Sequence, residues 1–202
     1  MRYSAGSDTR LLVLAHGAGT GERHPWMVRV ARGLAERGVS VVTFEFPYMQ
    51  AGRRRPDPAP VLEAAYRAAW DEAVQDAPAG ARCFAGGKSM GGRMASHVAA
   101  AGAFAPPPAG LVFFGYPLHP PDAPHKRRDA HLSRITAPML FLHGTRDPFG
   151  TPDEMRDVVG ALPSARLHLV DGGDHSLTKR GRTGEDLLDD ALETAARWIR
   201  GA

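Results

Sequence analysis

Ser89 stands in the run Gly86-Gly87-Lys88-Ser89-Met90-Gly91-Gly92, and the spacing Gly87-x-Ser89-x-Gly91 is that of a nucleophile elbow. In such a turn a strand passes into a helix so abruptly that the serine backbone is strained and flanking side chains would collide. Glycines at 87 and 91 remove the collision. The hydroxyl is then lifted clear of the strand, and the next amide, Met90 N–H, points from a helix N-terminus toward any oxyanion that forms. A serine hydroxyl is a weak nucleophile at neutral pH and needs a histidine base oriented by a carboxylate. Asp147, in His143-Gly144-Thr145-Arg146-Asp147, and His175, in Asp171-Gly172-Gly173-Asp174-His175, each follow an apolar run. Alone, Asp147 also reads as a turn residue before Pro148, and His175 as a loop histidine. The order Ser, Asp, His after successive apolar runs makes them a set. The second oxyanion donor is expected from His16-Gly17-Ala18-Gly19, with Ala18 N–H as candidate and Gly17 and Gly19 as neighbours. His16 and His143 read as loop braces.

Two overlapping motifs fail on inspection. Gly87-Lys88-Ser89 resembles the end of a phosphate-binding loop, but the glycine required five residues before Gly87 is Arg82. His16 to Glu22 resembles a dinucleotide fingerprint, but its third glycine is replaced by Glu22.

These side chains need a frame. Apolar runs at Leu11–Ala15, Val39–Phe46, Arg82–Ala85, Gly110–Phe114, Pro138–Leu142 and Arg166–Val170 predict six strands, mostly without polar alternation, as in a parallel sheet covered on both faces. Helices are predicted between them at Pro25–Arg37, Pro58–Ala77, Met90–Ala101, Pro152–Leu162 and Thr183–Arg200. Asp57-Pro58 reads as an N-cap with a first-turn proline, and Gly38 as a helix stop. Two long connections, Pro47–Asp57 and Gly115–Ala137, follow strand ends, where parallel sheets build their sites. No repeat or linker interrupts the pattern, so residues 1–202 are expected to form one domain of the α/β class.

Composition narrows the function further. Twenty-five basic and 22 acidic residues leave a net charge of +3, too little to imply nucleic-acid binding. The runs Arg53-Arg54-Arg55 and Lys126-Arg127-Arg128 lie among prolines and read as solvated loops. One cysteine, Cys83, excludes an internal disulfide and a multi-cysteine zinc site, and His119, His125 and His131 have no metal-ligand spacing. No apolar run approaches the roughly 20 residues that span a bilayer, and no signal peptide is evident. No metal, cofactor, membrane or nucleic-acid partner is therefore expected, the expected compartment is the cytoplasm, and oligomeric state is left open.

From Leu11 to Leu177 the chain resembles the α/β-hydrolase superfamily, in its small, lidless, dienelactone-hydrolase-like branch. Leu14–Gly19, Phe46-Pro47-Tyr48-Met49, Gly87–Arg93, Tyr116-Pro117-Leu118-His119 and His143-Gly144-x-x-Asp147 are also similar to bacterial relatives of the hydrolase-like subunit of the nonspecific-lethal chromatin complex. The resemblance implies a serine hydrolase acting on a small or soluble ester or thioester through an acyl-enzyme. The alternative is a hydrolase-like scaffold with little activity. Ser89 argues against dienelactone hydrolysis itself, for which that family uses cysteine. Ten residues precede the first strand, so the antiparallel hairpin of larger relatives is expected to be missing, and Gly115–Ala137 has no room for a lid domain. The cleft walls are then expected from Tyr48, Met49, Tyr116, Leu118 and Phe149, with core packing as the other reading of Tyr48 and Met49, a short wall suited to acyl groups of roughly two to six carbons at about 0.8 kcal/mol per buried methylene. Lys88 either favours an anionic substrate or bonds carbonyls beneath the elbow.

Overall fold

The central strands are mostly apolar because both faces of the sheet are covered. In the computed structural model, which describes residues 1–6, 9–179 and 187–202, the strands are β1 (Arg2–Tyr3), β2 (Arg10–Ala15), β3 (Ser40–Phe44), β4 (Arg82–Lys88), β5 (Leu111–Phe114), β6 (Met139–Gly144) and β7 (Ala165–Val170). They form one sheet in the order β1-β3-β2-β4-β5-β6-β7. Every neighbouring pair is parallel except β1, where Arg2 and Tyr3 pair antiparallel with Val42 and Val41. The six expected strands are all found. β1 is an addition: a two-residue strand occupies the sheet edge where no antiparallel partner was expected. Two residues carry no readable periodicity, so only pairing with β3 makes them a strand.

The helices are α1 (Pro25–Glu36), α2 (Pro47–Gln50), α3 (Ala59–Gln75), α4 (Met90–Ala100), α5 (Pro152–Gly160) and α6 (Leu187–Gly201). Alternate strand residues face opposite ways. Leu11, Val13 and Ala15 belong to the core under α3, α4 and α5, whereas Leu12 and Leu14 belong to the core under α1 and α6. α3 presents Leu62, Tyr66 and Trp70 at helical spacing, and α6 presents Leu188, Leu192 and Ile199 with alanines between.

Helix ends follow local chemistry. Gly38, at φ 84°, closes α1 with its N–H on Ala35 O. Thr151 and Glu154 form a reciprocal capping box ahead of Pro152. Three expectations need correction. Asp57 does not cap α3, because its Oδ1 accepts from Arg53 at 2.6 Å instead. Pro47–Gln50 is a helical turn rather than loop, since Pro47 occupies a first-turn position whose N–H would be unused anyway. The predicted start of the last helix, 183–186, lies outside the described residues.

Chain direction across the sheet reverses beside β2. From β2 the chain moves outward to β3, then returns over β2 through α3 to β4. A crevice opens at such a reversal, outside the carboxyl ends of the strands. The loop after β2 and the turn after β4 meet there. Between β5 and β6 only one 3-10 turn, Leu132–Arg134, interrupts the connection, so no lid domain covers the crevice. Among the described residues no helix is long and apolar enough to cross a membrane.

Candidate active site

β4 passes into α4 at Ser89, whose backbone sits at φ 49°, ψ −113°. A non-glycine residue there is strained, and strain of this kind persists only where the surroundings enforce it. They do. A Cβ on Gly87 would lie 2.6 Å from Gly91 C and 2.7 Å from Ala15 O, and one on Gly91 would lie 2.5 Å from Ala15 O. Close approach of β2 to the turn therefore requires both glycines. Beneath the turn, buried Tyr66 ties β2 to β4: Gly86 N–H donates to its Oη at 2.8 Å, and the phenol proton faces Gly86 O and Val13 O at 2.7 and 2.8 Å.

Ser89, His175 and Asp147 are brought together. His175 Nδ1 lies 2.7 Å from Asp147 Oδ2, and Nε2 lies 2.8 Å from Ser89 Oγ. A carboxylate oxygen only accepts, so Nδ1 carries the proton and, in the neutral ring, Nε2 accepts from the serine hydroxyl. Asp147 is buried, and its Oδ1 accepts Phe149 N–H at 2.9 Å, which leaves Oδ2 for the histidine.

The loop carrying His175 is held from three directions. Lys88 Nζ donates to His175 O at 3.0 Å, Trp26 Nε1 donates to Ser176 O at 2.8 Å, and Asp174 Oδ1 accepts from Ser176 N and Thr178 N. Of the two roles expected for Lys88, the carbonyl-bonding one is present. Its ammonium lies 5.0 Å from the Trp26 ring centre, and burial lowers its pKa to about 8 against the opposing pull of Asp147 and Asp174. His16, fully buried with its pKa lowered by desolvation, accepts Phe46 N–H at Nε2 and donates from Nδ1 to Gly17 O. It braces the loop after β2, as anticipated. His143 donates from Nε2 to Gly150 O at 2.8 Å, its Nδ1 lying 3.7 Å from Asp147 Oδ2.

The loop after β2 also narrows the choice of second amide donor. Gly19 N–H is taken by Tyr48 Oη at 3.3 Å and Thr20 N–H by Gly17 O at 3.4 Å, whereas Ala18 faces the crevice beside Ser89 and Met90. Met90 stands in the first turn of α4, where N–H groups have no intrahelical acceptor.

The α/β-hydrolase domain family matches residues 8–201. This chain belongs to the α/β-hydrolase family. Its fold is shared with solved structures of low sequence identity. Dienelactone hydrolase from Anabaena variabilis superposes with a TM-score of 0.76 at 21% identity, over 99% of this chain and 89% of that one. Est1E from Butyrivibrio proteoclasticus, with ferulic acid bound, gives 0.73 at 14% over 100% and 95%. The monoacylglycerol lipase of Paleococcus ferrophilus gives 0.72 at 15% over 100% and 97%.

In this α/β hydrolase the crevice encloses about 530 Å³, within the range of small-molecule sites. Its apolar lining comes from Pro56, Ala59, Leu62, Met90, Pro117 and Phe149. Phe149 is where it was expected, its ring centre 4.3 Å from that of His175. Tyr48 and Met49 take the core reading of their two, and Tyr116 and Leu118 are corrections. Tyr48 is fully buried under His16 with its hydroxyl spent on Gly19, Tyr116 bonds Arg128 O from the core, and Leu118 packs against Gly150. Met49 is only partly buried but packs on the same core. Large apolar groups near a strand end fill the core first, and the wall falls to α3, which the sequence placed only as a helix.

Of the charged lining only Lys88 was anticipated; Arg93 and Arg128, which also face the crevice with Asp57 and His24, were missed. Arg93 was findable: it follows Ser89 by four residues, one turn along the same helix face. Arg128 was not, because a charge run among prolines looks solvated. The run divides, with Lys126 exposed, Arg127 paired to Asp129 at 2.7 Å and Arg128 turned into the crevice. Trp26 and Asp174 lacked a signal too, since the first acts on a loop 150 residues away. His119 lies against Pro120 O and Glu154, and His131 against Ser96 Oγ at 2.7 Å.

Proposed function

We propose that this α/β hydrolase is a serine esterase acting on a small-molecule ester or thioester through an acyl-enzyme, without a cofactor. The observation that carries this reading is the unbroken chain of hydrogen bonds from Ser89 Oγ through His175 to buried Asp147. Ser89 Oγ attacks the ester carbonyl as His175 Nε2 takes its proton. Asp147 holds the ring and stabilises the imidazolium that forms. The oxyanion is held by the Ala18 and Met90 amides, donors worth about 3–4 kcal/mol each when aimed at the developing charge. The tetrahedral species collapses, His175 gives its proton to the leaving alcohol or thiol, and the acyl group remains on Ser89. Water then attacks the acyl carbon, His175 accepts its proton, and the acid departs as the proton returns to Ser89. Phe149 covers one side of the imidazole, and the absence of a lid domain suits a substrate that arrives from water.

A fluorophosphonate probe should label the wild type and leave Ser89→Ala unlabelled. Hydrolysis of short p-nitrophenyl esters should vanish with Ser89→Ala and fall about 10³-fold or more with His175→Ala. Labelling that survives Ser89→Ala removes the serine from the mechanism. An unreactive wild type that instead holds a stable protein partner supports the scaffold reading.

A further inference from the structure

Among the described residues, two cations of the crevice, Arg93 and Arg128, form no ion pair. Arg93 follows Ser89 by one turn of α4, and its backbone N–H donates to Ser89 O at 3.0 Å. Arg128 lies in the segment after β5, whose shape is fixed where Arg128 N–H reaches Leu118 O and Tyr116 Oη reaches Arg128 O, both at 2.9 Å. Both side chains line the crevice with Ser89 and His175. Among the described residues neither guanidinium donates a hydrogen bond, and Arg93 Nε is buried with no acceptor. A guanidinium carries five donors, and leaving them unmet in a half-buried site is costly. Burial and the neighbouring Arg128 charge together hold the Arg93 pKa below its usual value.

The surrounding acids are engaged elsewhere. Asp129 binds Arg127 at 2.7 Å, Glu154 binds Arg127 and His119 at 3.1 and 3.2 Å, and Glu63 binds His97 at 2.8 Å. Asp57, a carboxylate in the crevice lining, binds Arg53 through Oδ1 at 2.6 Å, while its buried Oδ2 accepts no hydrogen bond. A second recess shares Arg93 and Arg128 and is lined also by His97, Arg127, His131 and Arg134. Arg127 is neutralised by Asp129 and Glu154, and burial lowers the His131 pKa to about 4, so the positive charge nearest the nucleophile that lacks a partner is that of Arg93 and Arg128.

We propose that Arg93 and Arg128 form an anion subsite that grips a carboxylate or phosphate carried by the ester itself. The proposal rests on the esterase reading and names its substrate class. Two planar guanidinium forks match the oxygens of such a group and supply charge-assisted hydrogen bonds. The ester carbonyl is then fixed at Ser89 and the anionic end at the arginines. A neutral ester of the same length leaves the donors unmet, and a site built on hydrogen bonds rejects analogues lacking the partner group strongly.

The test compares mono-p-nitrophenyl adipate with p-nitrophenyl hexanoate, acyl chains of equal length differing in the terminal carboxylate, at fixed ionic strength. Wild type should favour the adipate in kcat/KM by at least 10-fold, and Arg93→Gln and Arg128→Gln should each reduce that ratio by at least 5-fold. A ratio near one in the wild type, or variants that lower both substrates equally, overturns the proposal. A separate measurement does not depend on turnover. In Ser89→Ala, isothermal titration with adipate and with inorganic phosphate should show binding that Arg128→Gln abolishes, the tighter ligand identifying the anion. Binding with no hydrolysis by wild type would sink the esterase reading and keep the subsite, and no binding of either anion sinks the subsite alone.

Discussion

Lys88 has two opposing effects at the residue scale. Its ammonium holds the His175 loop through His175 O, yet it is buried beside the nucleophile. A pKa lowered from 10.5 to about 8 means that the folded state resists the charged form by about 3 kcal/mol. The sign follows from linkage. Between about pH 8 and 10.5 the unfolded chain binds the proton that the folded chain has released, so stability from this group rises with pH, and below pH 8 the full cost is present. Lys88→Met should therefore leave Tm at pH 7 unchanged or higher while kcat/KM falls about 10-fold, since loss of loop alignment is felt mainly in the transition state. Thermal unfolding from pH 7 to 10 checks this directly. Wild type should gain stability relative to the variant above pH 8, and parallel curves would show that burial of Lys88 carries no such cost.

At the scale of elements, the elbow depends on how β2, β4 and α3 meet. One phenol on α3 accepts the Gly86 amide and faces carbonyls of both strands. Burial pushes the Tyr66 pKa far up, so the hydroxyl stays protonated and its donor is always available. Tyr66→Phe leaves a strand N–H and two carbonyls short of a partner inside the core. The expected loss is about 1–3 kcal/mol of stability, read as a lower urea midpoint at unchanged m-value. Because the serine is strained, a looser β2–β4 junction should also lower kcat more than it raises KM. A variant as stable and active as wild type would mean that neighbouring groups satisfy Gly86 without the phenol.

For the molecule as a whole, the crevice is set by which elements reach its rim. With α3 and Phe149 as walls and no lid domain above, apolar surface ends within a short distance of Ser89, and arginines begin. Each added methylene gains about 0.8 kcal/mol only while apolar wall remains. Among neutral p-nitrophenyl esters kcat/KM should accordingly peak at roughly two to six acyl carbons, extrapolating from that gain. Measured below the micelle concentration, a value still rising at long chains would mean that the Gly115–Ala137 segment rearranges to extend the wall.

The sequence by itself determined what local sterics and local hydrogen bonding dictate. Glycines at 87 and 91 could serve only a turn pressed against another backbone, continuous apolar runs could serve only strands covered twice, and Ser89, Asp147 and His175 followed strand ends in a fixed order. The tertiary structure decided what depends on residues far apart in the chain. Tyr48 read as wall or core, and Tyr116 as wall, until their hydroxyls met Gly19 N–H and Arg128 O. Arg127 and Arg128 are adjacent and chemically identical, yet one meets Asp129 and the other turns toward Ser89. Side-chain direction in an irregular segment is set by its distant packing partners, and no periodicity in the sequence encodes it.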